Sequence, residues 1–215
     1  MDFGLDWTKS LASEWLQKEQ KLWNVLPKLA ETLKAISQQL PRGYQEIKPM
    51  VWIGPGTTIS PTATITGPAI IGANCQIRHG AFVREQVICG NEAIIGNATE
   101  VKNSILFDGV QIPHFNYVGD AILGYKAHLG AGAILSNFKS TGDEIHVIID
   151  QKKVGSGLNK LGAILGDRVE IGCNSVLYPG TIIGQDSIVY PLTPVRGTIP
   201  AKVIIKNDGK QYARR

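Results

Sequence analysis

The chain has 215 residues, enough for one sizeable domain or one domain with an appendage. Only 19 % of its residues are charged, 24 are glycine, and the net charge is +4, part of it in Lys202, Lys206, Lys210, Arg214 and Arg215. Such a composition suggests many tight turns between apolar segments, and the lack of a Lys/Arg stripe interleaved with aromatics argues against nucleic acid as a partner.

The opening MDFGLDWTKS carries Asp2 and no cationic stretch leading into an apolar one, so no secretory leader is expected. No run approaches the ~18 consecutive apolar residues of a spanning helix, so no membrane partner is expected either. Cys75, Cys89 and Cys173 are odd in number and lack metal-type spacing. They fit reduced thiols in a cytoplasm, each a small apolar filler.

Residues 1–45 form an N-terminal α-helical segment, with helix expected over 5–40. Leu22, Leu26, Leu29, Leu33, Ile36 and Leu40 follow a 3–4 spacing, and Trp7, Leu11 and Trp15 mark another stripe. Pro27 separates two helices, Asn24 is a candidate N-cap for the second, and Pro41 ends the segment. A segment of this kind covers one end of the following domain or packs on a neighbouring subunit. A lid or partner-docking arm is the sharper alternative.

From Ile53 a six-residue clock begins: Ile59, Ile65, Ile71, Ile77, Val83, Cys89, Ile95, Val101 and Phe107. Neither a helix nor a plain strand repeats at six. One short strand plus a turn per repeat does, with one side chain directed into a shared core. Gly54, Gly72 and Gly90 recur every eighteen residues, which implies three hexads per coil. The fold class over 46–205 is therefore an all-β solenoid, a parallel β-helix whose coils stack about 4.8 Å apart.

Within that frame Arg84 and Lys102, eighteen residues apart and each preceded by valine, project from equivalent places on adjacent coils. Their charges would lie roughly 5–7 Å apart, where like charges repel unless an anion joins them. Two independently solvated cations are the simpler alternative. A shorter run, Tyr117, Leu123, Leu129 and Leu135, keeps the period in a shifted phase. The repeat breaks for an insertion at 137–164 and resumes at Leu165, Ile171, Leu177, Ile183, Val189 and Val195. Inside the insertion, EIHVIID (144–150) reads as a strand, 151–154 continues it across a turn, and GSGLNKLG reads as a mobile loop. IPAKVIIK closes the repeat, and 206–215 reads as a flexible basic tail.

The four histidines, His79, His114, His128 and His146, show no close pair of the kind a zinc site needs, and no metal is expected. His114 stands in PHFNYVGD beside Tyr117 and Asp120. It is either a general base for an amine or a polar residue at a bulge.

The stretch HFNYVGDAILGYKAHLGAGAILSNF resembles the acetyltransferase domain of the bifunctional enzyme that makes UDP-N-acetylglucosamine. That family carries a similar His-x-x-Tyr-x-Gly-Asp, then Gly-Ala-Gly, then Asn followed by an aromatic. The spacing from Arg84 through Lys102 and His114 to Tyr117 is also similar. No Gly-rich nucleotide-binding region precedes the repeat here, so uridyl transfer is not expected of these residues. VGSGLNKLGAILGD resembles the archaeal-type sugar-1-phosphate acetyltransferases. The resemblance implies a left-handed parallel β-helix, assembled as a homotrimer with active sites between subunits.

It also implies acetyl-CoA as co-substrate and a phosphorylated amino sugar, a hexosamine 1-phosphate, as acceptor. Arg84 and Lys102 would hold the phosphate, His114 would take the amine proton, and Tyr117 would contact phosphate or sugar. Asn137 would position the amine or the acetyl group, and Gly130, Ala131 and Gly132 would let coenzyme A lie against the backbone. The chain departs from the family pattern at His128, where an asparagine contacts the sugar, and at Phe138, where a tyrosine is usual. It departs again at Cys173, where a serine contacts coenzyme A. The family lysine just beyond Phe138 has no single match, with Lys139 and Lys160 as alternative candidates. Two readings of other classes compete: a non-catalytic β-helix partnering a separate nucleotidyltransferase, and a γ-carbonic anhydrase-like metalloenzyme.

Overall fold

A strand of two or three residues cannot persist unless many like it stack. In the computed structural model, which describes residues 3–214, the short strands stack into three parallel sheets that form the faces of a β-solenoid. The first sheet runs from Val51–Ile53 through Ala69–Ile71 and Val87–Cys89 to Thr198–Ile199. The second runs from Thr58–Ile59 to Val203–Ile205, and the third from Thr64–Ile65 to Pro194–Val195. The arrangement is consistent with a left-handed β-helix.

At each end of the solenoid one sheet edge is covered by an antiparallel strand, which blunts an otherwise unpaired edge. Gln45–Lys48 folds against Val51–Ile53 at one end. At the other, Gln211–Ala213 folds back on Val203–Ile205, so the polar tail that reads as loose contains a paired strand.

The clock residues line the lumen, with Ile53 beside Ile71 and Ile71 beside Cys89. Beyond Val101 the phase changes. Leu106, not Phe107, lies opposite Cys89, and Val118, not Tyr117, lies opposite Val101. The cause is a shortened corner between the third and first sheets. Seventeen residues separate Cys89 from Leu106, because Asn103 and Asp120 each turn that corner alone, with φ of +43° and +50°. Asn and Asp tolerate this left-handed conformation better than other side chains. Close coil stacking also explains the glycine column: a Cβ on Gly72 would stand 2.4 Å from the carbonyl carbon of Gly90.

The N-terminal segment is four short pieces rather than two helices. They are 3₁₀ turns at Trp7–Lys9 and Leu22–Lys28 and α-helices at Ser13–Leu16 and Leu29–Ser37. Asn24 is not a cap; it lies inside Leu22–Lys28, whose N-cap is Lys21. Pro27 also lies inside that turn, where its missing N–H costs no α-helical bond. The segment covers a face of the solenoid and not an end. The outward residues Ile70, Ile88, Ile105 and Ile122 of the first sheet join Trp23, Leu29 and Leu33 in a second core. Each such isoleucine contributes about 1.5–3 kcal/mol on full burial. Phe107 belongs to this outer core, its ring 6.4 Å from that of Trp7.

The insertion forms a hairpin of His146–Ile149 and Lys152–Gly155. Val147 and Ile149 on one side of it complete the outer core. Cys75 and Cys89 are buried fillers as expected, but Cys173 is exposed, because it sits at a corner and not on a lumen position. Among the described residues no helix is long and apolar enough to cross a membrane.

Candidate active site

Two corners of the solenoid carry the chemistry-bearing residues, and both flank the third sheet. At the corner leading to the first sheet, Val83 pairs with Val101, so Arg84 and Lys102 follow at equivalent positions on adjacent coils, as their spacing predicts. Neither cation is simply solvated. Arg84 Nη1 donates to Glu100 Oε1 at 2.9 Å and Nη2 lies 3.3 Å from Glu85 Oε1. Lys102 Nζ lies 3.7 Å from Asp120 Oδ2.

Asp120, 4 % exposed, organises this corner. Its Oδ1 accepts from Asn103 Nδ2 at 2.7 Å, and its Oδ2 accepts from Asn137 Nδ2. The Asn137 amide also donates to Tyr117 Oη at 3.1 Å. Burial, then the nearby Asp120 charge, pushes the Tyr117 phenol above its ordinary pKa. The phenol therefore stays protonated as a donor through the neutral range. The corner thus offers a guanidinium held by Glu100 and Glu85, an ammonium beside Asp120 and a phenol, donors suited to an anionic, hydroxyl-bearing ligand that replaces part of those carboxylate contacts. Gly119 leaves room for the Tyr117 and Asn137 side chains: a Cβ there would stand 2.6 Å from Tyr117 Oη and 2.8 Å from Asn137 Nδ2.

At the opposite corner, between the second and third sheets, His114 pairs with Asn97 on the preceding coil. On the following coil the Gly132 N–H donates to the His114 carbonyl at 3.0 Å, which aligns Ala131 with His114. The Asn174 N–H donates to the Ala131 carbonyl at 2.9 Å, which aligns Cys173 with Ala131. His114, Ala131 and Cys173 therefore form one column. The His114 side chain is exposed, while buried Asn116 locks its backbone by accepting the His114 N–H at 3.1 Å and donating to the Gly130 carbonyl at 2.8 Å. The Gly130 and Gly132 amides donate to the Ile171 and His114 carbonyls, so neither is free to steady an oxyanion. Gly130 is required by the coil beneath it, since a Cβ would meet Cys173 N at 2.7 Å.

His128 joins neither group. It lies on the outer side of the second sheet, its Nδ1 2.7 Å from Glu170 Oε2 on the next coil. Phe138 extends from the first corner into the insertion, about half exposed. Lys139 is tied to the insertion, donating to the Glu144 carbonyl.

Sequence reasoning gives no role to Glu100, Asn103, Asn116 or Gly119, and none to Asp120 although the aspartate ends the His-x-x-Tyr-x-Gly-Asp motif. The available signal is the slip in the clock at Phe107 and Tyr117, which marks the shortened corner built on Asn103 and Asp120.

The fold defines the class: a hexapeptide-repeat parallel β-helix. Its homologues are GlmU-type bifunctional nucleotidyltransferase/acetyltransferases. It is 31 % identical over 191 residues to a bifunctional sugar-1-phosphate nucleotidylyltransferase/acetyltransferase of Sulfurisphaera tokodaii, covering 89 % of this chain and 45 % of that protein. It is 38 % identical over 109 residues to the bifunctional protein GlmU of Methanococcus maripaludis, covering 51 % and 26 % respectively. The chain therefore spans less than half the length of these relatives. Residues 65–151 match the family model of the GMPPB C-terminal domain. Among solved structures, perosamine N-acetyltransferase from Caulobacter crescentus, in complex with CoA and GDP-perosamine, aligns with a TM-score of 0.43. The identity is 19 %, over 73 % of this chain and 56 % of that one.

Proposed function

We propose that this chain is an acetyl-CoA-dependent N-acetyltransferase acting on a hexosamine 1-phosphate. The observation that carries the reading is the pairing of two built corners on one sheet. His114 stands in a column with Ala131 and Cys173, while Lys102, Tyr117 and Asn137 gather about Asp120 and Arg84 stands on the adjacent coil beside Glu100. Similarity to the acetyltransferase-bearing relatives over most of this chain supports it.

In this reading Arg84 and Lys102 exchange part of their carboxylate contacts for the sugar phosphate, Arg84 with its planar fork and Lys102 as a point charge. Tyr117 and Asn137 orient the sugar. The amine nitrogen attacks the thioester carbonyl carbon. A C–N bond forms, the C–S bond breaks, the amine proton passes to His114, and coenzyme A leaves as its thiol after taking up a proton. No covalent enzyme intermediate is needed, so Cys173 acts only as a contact in the donor column.

Assembly as a homotrimer is part of the proposal. The outer side of the third sheet exposes Phe82 and Val176, and its corner exposes Phe115 and Leu192, the last 68 % exposed, apolar side chains that a second copy would cover. A second copy packed there would bring its own residues towards both corners, and it offers His128 a route into the site that one chain does not.

The test is thiol release from acetyl-CoA with glucosamine 1-phosphate and galactosamine 1-phosphate, for wild type, His114→Ala and Lys102→Ala. Loss of about 10²–10⁴-fold in His114→Ala is expected for removal of a general base. Lys102→Ala should raise KM for the phosphorylated acceptor. Wild type inert with both sugars, yet binding acetyl-CoA, would favour the non-catalytic reading.

A further inference from the structure

The insertion hairpin does more than complete the outer core. Alternation along its strands sends Val147 and Ile149 inward and turns Ile148 and the opposing Lys153 to the other side. There they bound a cavity of about 480 Å³ against the lower turns of the first corner, which continues the column of Arg84 and Lys102. Its walls include Phe138, Lys139, His146, Lys153, Tyr178 and Arg196. The Ile148 carbonyl accepts from Thr198 Oγ1 and so fastens the hairpin to the last coil.

The charge arrangement differs from that of the upper corner. No acidic side chain lines the cavity among the described residues. Among the same residues, none of Lys139, Lys153 and Arg196 is ion-paired. Three like charges around one cavity repel, and an anion relieves them. Beside them are two exposed rings, Phe138 and Tyr178, with the Arg196 guanidinium stacked 4.3 Å from the Tyr178 centroid. Cations with open donors next to exposed aromatic faces match a ligand that joins phosphates to a planar base.

We propose that this cavity binds a phosphorylated nucleoside, its base against Phe138 and Tyr178 and its phosphates at Lys139, Lys153 and Arg196. Two sources share that chemistry under the acyl-transfer reading, on which the choice between them rests. One is the adenosine end of coenzyme A. The other is the nucleoside diphosphate of an acceptor sugar already activated as a nucleotide.

The experiment is isothermal titration of the full chain with adenosine 3′,5′-bisphosphate, uridine diphosphate and pantetheine, for wild type and Lys153→Gln/Arg196→Gln. The double variant should weaken a nucleotide by about tenfold or more, since each substitution removes a charge-assisted contact. Pantetheine, which has no nucleotide, should be unaffected. Binding of only the adenosine compound assigns the donor; binding of only uridine diphosphate assigns the acceptor. The wild-type affinity should also fall steeply between low and high salt, a readout that needs no variant.

A wild type that binds neither nucleotide, or nucleotide binding that the double variant leaves unchanged, overturns the proposal. Thiol release keeps the two readings separate. Nucleotide bound at this cavity in a chain inert with every acceptor removes the acyltransferase reading alone. Acetyl transfer with KM values unmoved by the double variant removes the cavity alone.

Discussion

Lys102 Nζ lies 3.7 Å from Asp120 Oδ2, the lysine side chain 14 % and the aspartate side chain 6 % exposed. One carboxylate thereby balances a nearly enclosed ammonium and accepts from two asparagine amides. Asp120→Asn keeps the shape, removes the charge and replaces one acceptor oxygen with an NH2 donor that faces the amide donor of Asn103 or Asn137. It should destabilise the fold by about 1–3 kcal/mol, the cost of leaving buried polar groups unsatisfied. Urea unfolding checks this, and a change within about 0.5 kcal/mol, the range of ordinary surface substitutions, would contradict it.

Gly119 separates folding from function. The atoms its added Cβ would meet, Tyr117 Oη and Asn137 Nδ2, are ends of side chains that can move aside. Gly119→Ala should therefore still fold, losing at most about 1–3 kcal/mol where Asn137 draws back from buried Asp120, while moving both groups. Under the proposed function kcat/KM should fall about 10²-fold, the usual cost of a misplacement near 1 Å. An unchanged kcat/KM would mean that Tyr117 and Asn137 do not position the substrate.

Phe107 has no lumen role, and its burial is against the N-terminal segment. Phe107→Ala should cost about 3–5 kcal/mol, as for a fully buried aromatic, and should loosen residues 3–40 before the coils. Hydrogen exchange distinguishes the two. Protection lost first in the solenoid strands would place the ring in the lumen after all.

Arg168 bridges two coils, its Nε and Nη2 donating to Asp186 Oδ1 and Oδ2 at 2.7 and 3.0 Å. That hydrogen bonding holds the Asp186 carboxyl below its usual pKa. A lowered carboxylate contributes stability that is present above the unfolded-state value, about 3.9, and lost as pH falls through the folded value below it. Because Arg168 is partly solvated, Asp186→Asn should remove less than about 1 kcal/mol near neutral pH and make the acid limb of the stability profile shallower. An acid limb identical in the two proteins would show that the pair adds nothing.

The period of six and the recurrence of Gly54, Gly72 and Gly90 are legible as a solenoid because a lumen position admits only one apolar side chain per short strand. The same periodicity sets Arg84 and Lys102 one above the other from their spacing alone. It loses the register at Phe107, since the pattern Leu106-Phe107 offers two apolar residues and the count does not choose between them. The covering of the first sheet is also latent: Trp52, Ile70, Ile88, Ile105 and Ile122 make its outward row wholly apolar, whereas over the same coils the second sheet interrupts its single Ile94 with Thr58, Gln76, Gln111 and His128 at the same positions.

The repeat, its three-sided coil, the insertion and the two cations in register are all written in the order of the residues, because each is a local periodicity, or a break in one, that survives any folding of the rest. Which residues face one another across coils is settled only when the chain folds. Folding gives Asp120 the central place at one corner and aligns His114 with Ala131 and Cys173 at the other. It also leaves His128 apart, beside Glu170. These outcomes depend on the shortened corner at Asn103 and Asp120 and on contacts between residues 16 to 42 positions apart, where one residue more or less in a turn changes which side chains meet.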